Sequence, residues 1–600
     1  MRPLARLNHY FWTYKHLFIP GLLFTIISAG FQITVPMVVR QAIDSIPQFV
    51  RLQGLFEGTG AQGVLYQYLF IGLLVFAGAI VALTLVSGVF KFLMRQTVVV
   101  ASRHIEYDLR NALYDHLQTL SPKFYQDYST GDVITRATDD IEKVRRYIGP
   151  AIMYITRSLS MVLVALAVMF AISPTLTLYA LIPMPLLAVS VFFMARMVHH
   201  RSDRLQKQYS SLTSRVQEAL SGIRVLKAYT REPSEAEAFE GESDEYKDRN
   251  LDLALVEAAW RPAFLLLVGM STIIVVWVGG RLVVEGVITI GNIAEYIIYV
   301  ALMTWPVASM GFVITMVQRA SASVIRLNKI LDTEPAIQDD ERTDPSIEAL
   351  EGRIAFRHVS FRYEEEEPLV LDDIHFELPA GGTLGIVGRT GAGKSTLVEM
   401  IPRLIEPDEG LVEIDGHDIR QIPLKVLRRS IGYVPQDVFL FSDTVANNIA
   451  FGVLDADDDA IRDAADEAEL LDNIQDFPDG FETYVGERGI TLSGGQKQRT
   501  SIARALIRDP EILIFDDSLS AVDTATERHI LRHLRARQGK HTLVIVSHRI
   551  SAVQDADLIL VLDEGRVAER GTHDELCASD GLYATLHRKQ LLEEEIEAMG

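Results

Sequence analysis

The chain predicts an α-helical membrane domain followed by a water-facing α/β domain. Three observations carry that prediction. Six apolar stretches long enough to cross a bilayer all fall before about residue 320. The two long polar connections among them repeat apolar residues at helical spacing. Beyond residue 351 the chain turns polar and carries short apolar strands set among helix-like segments.

The first element is an amphipathic helix over residues 3–15, with Leu4, Leu7, Tyr10, Phe11 and Tyr14 on one face, suited to a membrane surface. The basic start, Met1-Arg-Pro-Leu-Ala-Arg, leads into an apolar run over 17–39 that is too long for a cleaved signal core and is read as the first span. The other spans lie near 68–93, 150–172, 175–197, 260–282 and 292–316. The third and fourth are joined by Ser173-Pro174 alone, a hairpin with almost no loop. Residues 94–149 and 198–259 are rich in Lys and Arg, which puts both on the cytoplasmic side. An even number of spans then leaves the N-terminus and the second domain on that side too.

Within those connections Ile105, Leu109, Leu113, Leu117 and Leu120 recur at helical spacing, as do Leu212, Val216, Leu220 and Ile223. Helices that continue out of the membrane as stalks fit this pattern. Ser121-Pro122 and Ser221-Gly222 break it at the tips. Two readings stay open for those tips: contact with the second domain, or ordinary packed cytoplasmic helices. The boundaries follow: a six-span domain over 1–332, a polar and turn-rich linker over 333–351, and a second domain over 352–600.

The formal net charge of −22 argues against a nucleic-acid partner, which needs a basic face. The single cysteine, Cys577, rules out an internal disulfide and a multi-cysteine metal site, and is expected as an unpaired surface thiol. His116 and His417 have no metal-ligand spacing. Arg157, Glu257, Arg261 and Glu295 lie in or at the ends of spans, where ionisable groups line a pathway, pair or snorkel.

The chemistry sits in the second domain. Gly388-Arg389-Thr390-Gly391-Ala392-Gly393-Lys394-Ser395-Thr396 follows the apolar strand 384–387 and opens a helix. This is a phosphate loop in its required setting. Its glycines let backbone N–H groups approach the phosphates, Lys394 reaches the β and γ groups, and Ser395 offers a hydroxyl to Mg²⁺. The strand 512–515 ends in Asp516, suited to Mg²⁺, with a second carboxylate, Asp517, placed to orient an attacking water. Leu492-Ser493-Gly494-Gly495-Gln496 makes a second anion-suited helix start. One nucleotide has little use for two cradles in one chain, so the economical arrangement is a dimer in which this segment caps ATP held by the other subunit.

Taken together, these motifs resemble a half-transporter of the ATP-binding cassette (ABC) exporter family over essentially the whole chain. The resemblance implies six transmembrane helices with stalks, an α/β P-loop ATPase domain, ATP and Mg²⁺. By its pattern Tyr363 stacks on adenine, and Gly388, Thr390, Gly391, Gly393, Lys394, Ser395 and Thr396 hold the phosphates. Ser395, Gln436 and Asp516 serve the metal, and Gln436 and His548 sense water and the γ-phosphate. Ser493, Gly494, Gly495 and Gln496 form the signature, residues 520–523 cross the dimer interface, and Glu487 meets the stalks.

The departure is Asp517, where the family has glutamate. Its carboxylate stops about 1.5 Å short, where about 1 Å of misplacement costs on the order of a hundredfold in rate. Such a position, beside an intact signature, resembles the degenerate-site subunit of heterodimeric bacterial multidrug exporters. The resemblance then implies a second half-transporter as partner, a bacterial plasma membrane, and an amphipathic drug or lipid as substrate. A slowly hydrolysing homodimer and an ATP-gated membrane regulator are the alternative readings.

Overall fold

The computed structural model describes residues 2–599 apart from 57, 60, 61, 454, 521, 523 and 537–539. The chain divides into two compact units: Met1–Gln118 with Ser129–Thr333, and Thr119–Tyr128 with Glu334–Gly600.

Among the described residues of the first unit, six helices are long and apolar enough to cross a membrane. They are α1 (Lys15–Leu55), α2 (Gln62–Thr119), α3 (Thr130–Ile172), α4 (Pro174–Ser221), α5 (Glu232–Val284) and α6 (Ile290–Leu331). At about 1.5 Å per residue they run roughly 60–90 Å, against about 30 Å of hydrocarbon. The surplus is the stalk region that the helical spacing predicts. At the α3–α4 hairpin the Ser173 hydroxyl accepts from Leu176 N–H and Pro174 takes the first helical position, so two residues suffice to start α4.

Small residues let these helices approach closely. A Cβ on Gly21 of α1 would lie 2.4 Å from Val98 Cγ2 of α2. Some buried polar groups find partners across helices. The fully buried Glu295 of α6 meets Arg40 of α1 at 3.4 Å and accepts from Asn292 at 3.1 Å and Tyr299 at 3.0 Å. Of the other ionisable span residues, Arg157 is half-buried and Glu257 exposed, and the Arg261 side chain lies outside the described residues.

The N-terminal segment, expected as one helix over 3–15, is made of two short helical pieces. These are a 3₁₀ turn, Arg2–Leu7, followed by a short helix, Asn8–Thr13. The face that carries Leu7 and Tyr14 packs against the stalk helices. Leu7 is buried, the Tyr14 hydroxyl donates to Asp108 of α2 at 2.7 Å, and Arg6 pairs with Asp332 at 2.6 Å. Carboxylates on the stalks draw that face in, and Trp12 is left on the outside.

The second unit holds two sheets. An antiparallel one has the order β2-β1-β4-β5 and comprises β1 (Ile354–Phe361), β2 (Leu371–Leu378), β4 (Glu409–Ile414) and β5 (His417–Asp418). The other has the order β10-β9-β3-β8-β7-β6, with β3 (Thr383–Gly388), β6 (Ile431–Val434), β7 (Ile512–Asp516), β8 (Thr542–Val546), β9 (Leu558–Asp563) and β10 (Arg566–Gly571). All neighbours in this sheet are parallel except β9 and β10. Every residue of β7 and β8 is buried, which is why both read as unbroken apolar runs ahead of their polar ends.

The segment read as a linker carries apolar side chains that pack on the antiparallel sheet. Ile347 and Leu350 are buried with β1, β2 and β4. The first stalk tip, residues 119–128, belongs to this unit as well, where Lys123 donates to the Tyr363 carbonyl at 2.9 Å and pairs with Glu364 at 3.2 Å.

Candidate functional site

Four functional segments leave the same edge of the parallel sheet. The phosphate loop follows β3, Gln436 follows β6, Asp517 follows β7 and His548 follows β8. Parallel strands present their carboxyl ends together, so residues far apart in sequence gather there.

The loop is shaped for a close backbone approach. Gly391 and Gly393 take φ of 82° and 91°. A Cβ on Gly388 would sit 2.3 Å from the Leu562 carbonyl oxygen, and one on Gly393 would sit 2.7 Å from that of Val370. Thr390 is exposed at the loop's crest. Lys394, first residue of α7 (Lys394–Met400), curls back so that Nζ donates to the carbonyls of Gly388 at 3.0 Å and Arg389 at 2.9 Å. Burial pulls its pKa below the usual lysine value, opposed by the carboxylates of Asp517 and Asp516. Thr396 accepts or donates at 3.0 Å with the Tyr363 hydroxyl, which fixes that ring beside the loop.

Ser395 Oγ donates to Asp516 Oδ1 at 3.0 Å. Asp516 is buried, and burial raises its pKa. The Ser395 hydroxyl and Lys394 pull it down, while Asp517 pushes it up. A carboxylate held this way is short of positive charge. Two hard oxygen donors in contact, one of them under-neutralised, fit a divalent cation such as Mg²⁺. Nearby, Ser518 Oγ is buried with no hydrogen-bond partner among the described residues. Gln436 is exposed at its strand end.

Asp517 has a left-handed backbone, φ 46°, which aspartate tolerates better than most residues. Its N–H donates to the Val546 carbonyl at 2.9 Å, and its Oδ1 lies 2.8 Å from His548 Nδ1. Arg549 braces the loop after it, donating to the carbonyls of Ser520 at 3.1 Å and Val522 at 3.3 Å while pairing with buried Glu527 at 2.8 Å. Ala521 and Asp523 of that loop lie outside the described residues.

The signature opens helix α8 (Gly494–Leu506). Ser493 caps it by accepting from Gln496 N–H at 3.3 Å, and Gln496 Oε1 accepts from Ser493 N–H at 2.9 Å. Ser493 and Gly494 are exposed, with Gly495 and Gln496 half-buried. In this chain the two cradles are therefore separate: phosphate loop, Asp516, Asp517 and His548 converge, and the signature does not join them by any hydrogen bond among the described residues.

Sequence reasoning missed two features. Gln590 of the last helix donates to the His548 carbonyl at 2.5 Å and accepts from Ile550 N–H at 2.8 Å. No sequence signal foretells that contact. Cys577, expected as an unpaired thiol, lies against His573 and His587. The His573–Cys577 spacing of one helical turn was a signal that could have found it.

Comparison with known proteins agrees with this architecture. Residues 17–307 match the ABC transporter transmembrane region, and residues 371–520 match the ABC transporter family. A probable multidrug resistance ABC transporter ATP-binding/permease protein of Bacillus subtilis, YheI, is 40% identical over 522 residues, spanning 87% of this chain and 89% of its own. The multidrug resistance-like ATP-binding protein MdlA of Escherichia coli is 34% identical over 599 residues, spanning 100% and 98%. A solved bacterial Atm1-family ABC exporter with ATP bound superposes with a TM-score of 0.76 at 27% identity, covering 96% of this chain and 98% of that one.

Proposed function

The chain belongs to the ABC exporters, ATP-hydrolysing transporters with a membrane domain and a cassette on one polypeptide, and on that premise we propose that it exports amphipathic drugs or lipids as one half of a heterodimer. The membrane is the bacterial plasma membrane, with the N-terminus and cassette cytoplasmic. The names carried by the B. subtilis and E. coli relatives support multidrug-type transport.

The observation that carries the pairing is Asp517. Its carboxylate is one methylene shorter than the family's glutamate and is already engaged by His548 of the same chain at 2.8 Å. In this reading the phosphate loop binds ATP and Lys394 swings from its own loop carbonyls to the phosphates. Ser395, Asp516 and Gln436 hold Mg²⁺, which when bound neutralises phosphate charge. Tyr363 supports the base, and His548 reads the γ-phosphate. Asp517 orients water poorly, so this site holds ATP more than it splits it. Ser493, Gly494, Gly495 and Gln496 close over ATP on the second half-transporter, whose own carboxylate does the faster hydrolysis. Closure of the cassettes drives the stalks and switches the cavity.

Inside-out vesicles test the reading. ATP-dependent accumulation of an amphipathic dye against its gradient is expected, together with co-purification of a second half-transporter. Downhill flux alone would point to a gate, and full activity from this chain by itself would remove the partner.

A further inference from the structure

Outside the set of nucleotide-site side chains, three side chains of the second unit converge on one point. His573 and Cys577 sit one turn apart on α9 (His573–Ala578), and His587 projects from α10 (Leu582–Met599). Their ligand-type atoms all lie within 4.8 Å of one another. Cys577 Sγ is 3.7 Å from His573 Nε2 and 3.6 Å from His587 Nδ1. We propose that these three residues form a binding site for a zinc-class divalent cation, with a water or small ligand as fourth donor.

The spacing is what a tetrahedral ion requires. With a metal–sulfur bond of about 2.3 Å and metal–nitrogen bonds of about 2.0–2.1 Å, the sulfur-to-nitrogen edge of a tetrahedron is about 3.6 Å. Both measured edges agree with that value before any ion draws them in. The donor set is one soft thiolate and two imidazoles, which suits Zn²⁺ and gives nothing to Mg²⁺ or Ca²⁺. Outer support is also in place. His573 Nδ1 lies 2.8 Å from the buried Tyr583 hydroxyl, and the sulfur lies 3.9 Å from that nitrogen and 3.7 Å from Nε2, so a turn of the ring about its Tyr583 bond is what aims Nε2 at the ion. All three ligands are half-buried, so an ion can reach them from solvent.

The site has a structural lever. Gln590, one turn beyond His587 on α10, grips the backbone of His548 and Ile550. An ion joining α9 to α10 fixes the helix that holds that segment.

Because Cys577 is the chain's one cysteine, thiol chemistry reports on this site alone. Untagged full-length protein is stripped with chelator and titrated with Zn²⁺ or Co²⁺ in the absence of nucleotide. Zn²⁺ should protect Cys577 from alkylation where excess Mg²⁺ does not, and Co²⁺ should give a thiolate charge-transfer band that Cys577→Ser abolishes. Tyr583→Phe should keep the band and weaken affinity about 10- to 100-fold. An alkylation rate in the wild-type protein that Zn²⁺ leaves unchanged would overturn the site, as would a cobalt spectrum indifferent to Cys577→Ser.

Discussion

Asp517→Glu is the sharpest perturbation of the nucleotide site. Asp517 is fixed by its N–H bond to Val546 at 2.9 Å and from the side by His548 at 2.8 Å. Added length therefore goes into reach rather than into backbone movement. One methylene carries the carboxylate about 1.5 Å further, and about 1 Å of misplacement costs on the order of a hundredfold. Hydrolysis at the site built on this residue should rise about 10- to 100-fold, or roughly 1.4–2.7 kcal/mol of barrier. The left-handed backbone at φ 46° suits glutamate less, so about 1 kcal/mol of stability is lost alongside. Single-turnover hydrolysis in nanodiscs reads the rate, and thermal unfolding reads the stability separately. A variant that binds ATP as before and cleaves it no faster would refute the geometric account of this site.

Two further substitutions test the frame around it. Gly393→Ala puts a methyl 2.7 Å from the Val370 carbonyl oxygen at a φ of 91°, so it should cost about 2 kcal/mol or more and abolish fluorescent-nucleotide binding. Asp140 of α3 is buried, which raises its pKa, but bonds from Arg326 and Ser323 outweigh burial and hold it below the usual carboxylate value. A depressed folded pKa means the stabilisation is whole above the ordinary carboxylate range and fades as pH falls through the folded value. Breaking a buried pair costs about 3–5 kcal/mol, but Arg326 is two-fifths exposed, so Asp140→Asn should cost about 1–3 kcal/mol at neutral pH. Melting curves across pH should show that gap from wild type closing in acid.

Local signals in the sequence carried much of this molecule. Apolar length placed the six long helices, the repeat from Ile105 to Leu120 foretold a continuous helix beyond the span, and the run from apolar strand through glycine loop to helix start is found as read. What the sequence hid depends on packing between distant segments. Asp44 accepts from Gly291 N–H at 2.8 Å and from the Thr289 hydroxyl at 2.7 Å, so α1 caps α6 across more than 240 residues. No periodicity encodes that cap. The packing of the N-terminal segment rests likewise on Asp108 and Asp332, whose positions only the folded stalks supply. Cys577 lies between these cases. Its spacing from His573 is local, while the arrival of His587 depends on how α10 packs against α9.

The separation of the two cradles turns pairing into a measurable asymmetry. Lys394 belongs to the site that contains Asp517, whereas Ser493 sits at an exposed helix start outside it. In a homodimer both composite sites are identical, so Lys394→Ala and Ser493→Arg damage the same chemistry and should stop steady ATP turnover alike. In a heterodimer they strike different sites. Ser493→Arg then removes the cap over the fast site and should lower steady turnover at least about a hundredfold, in the range seen when one transition-state donor is lost. Lys394→Ala disables only the slow site and should leave a substantial part of that turnover. The two variants compared in the same purified complex, with turnover measured at saturating ATP, decide between these arrangements, and equal losses would remove the case for an unlike partner.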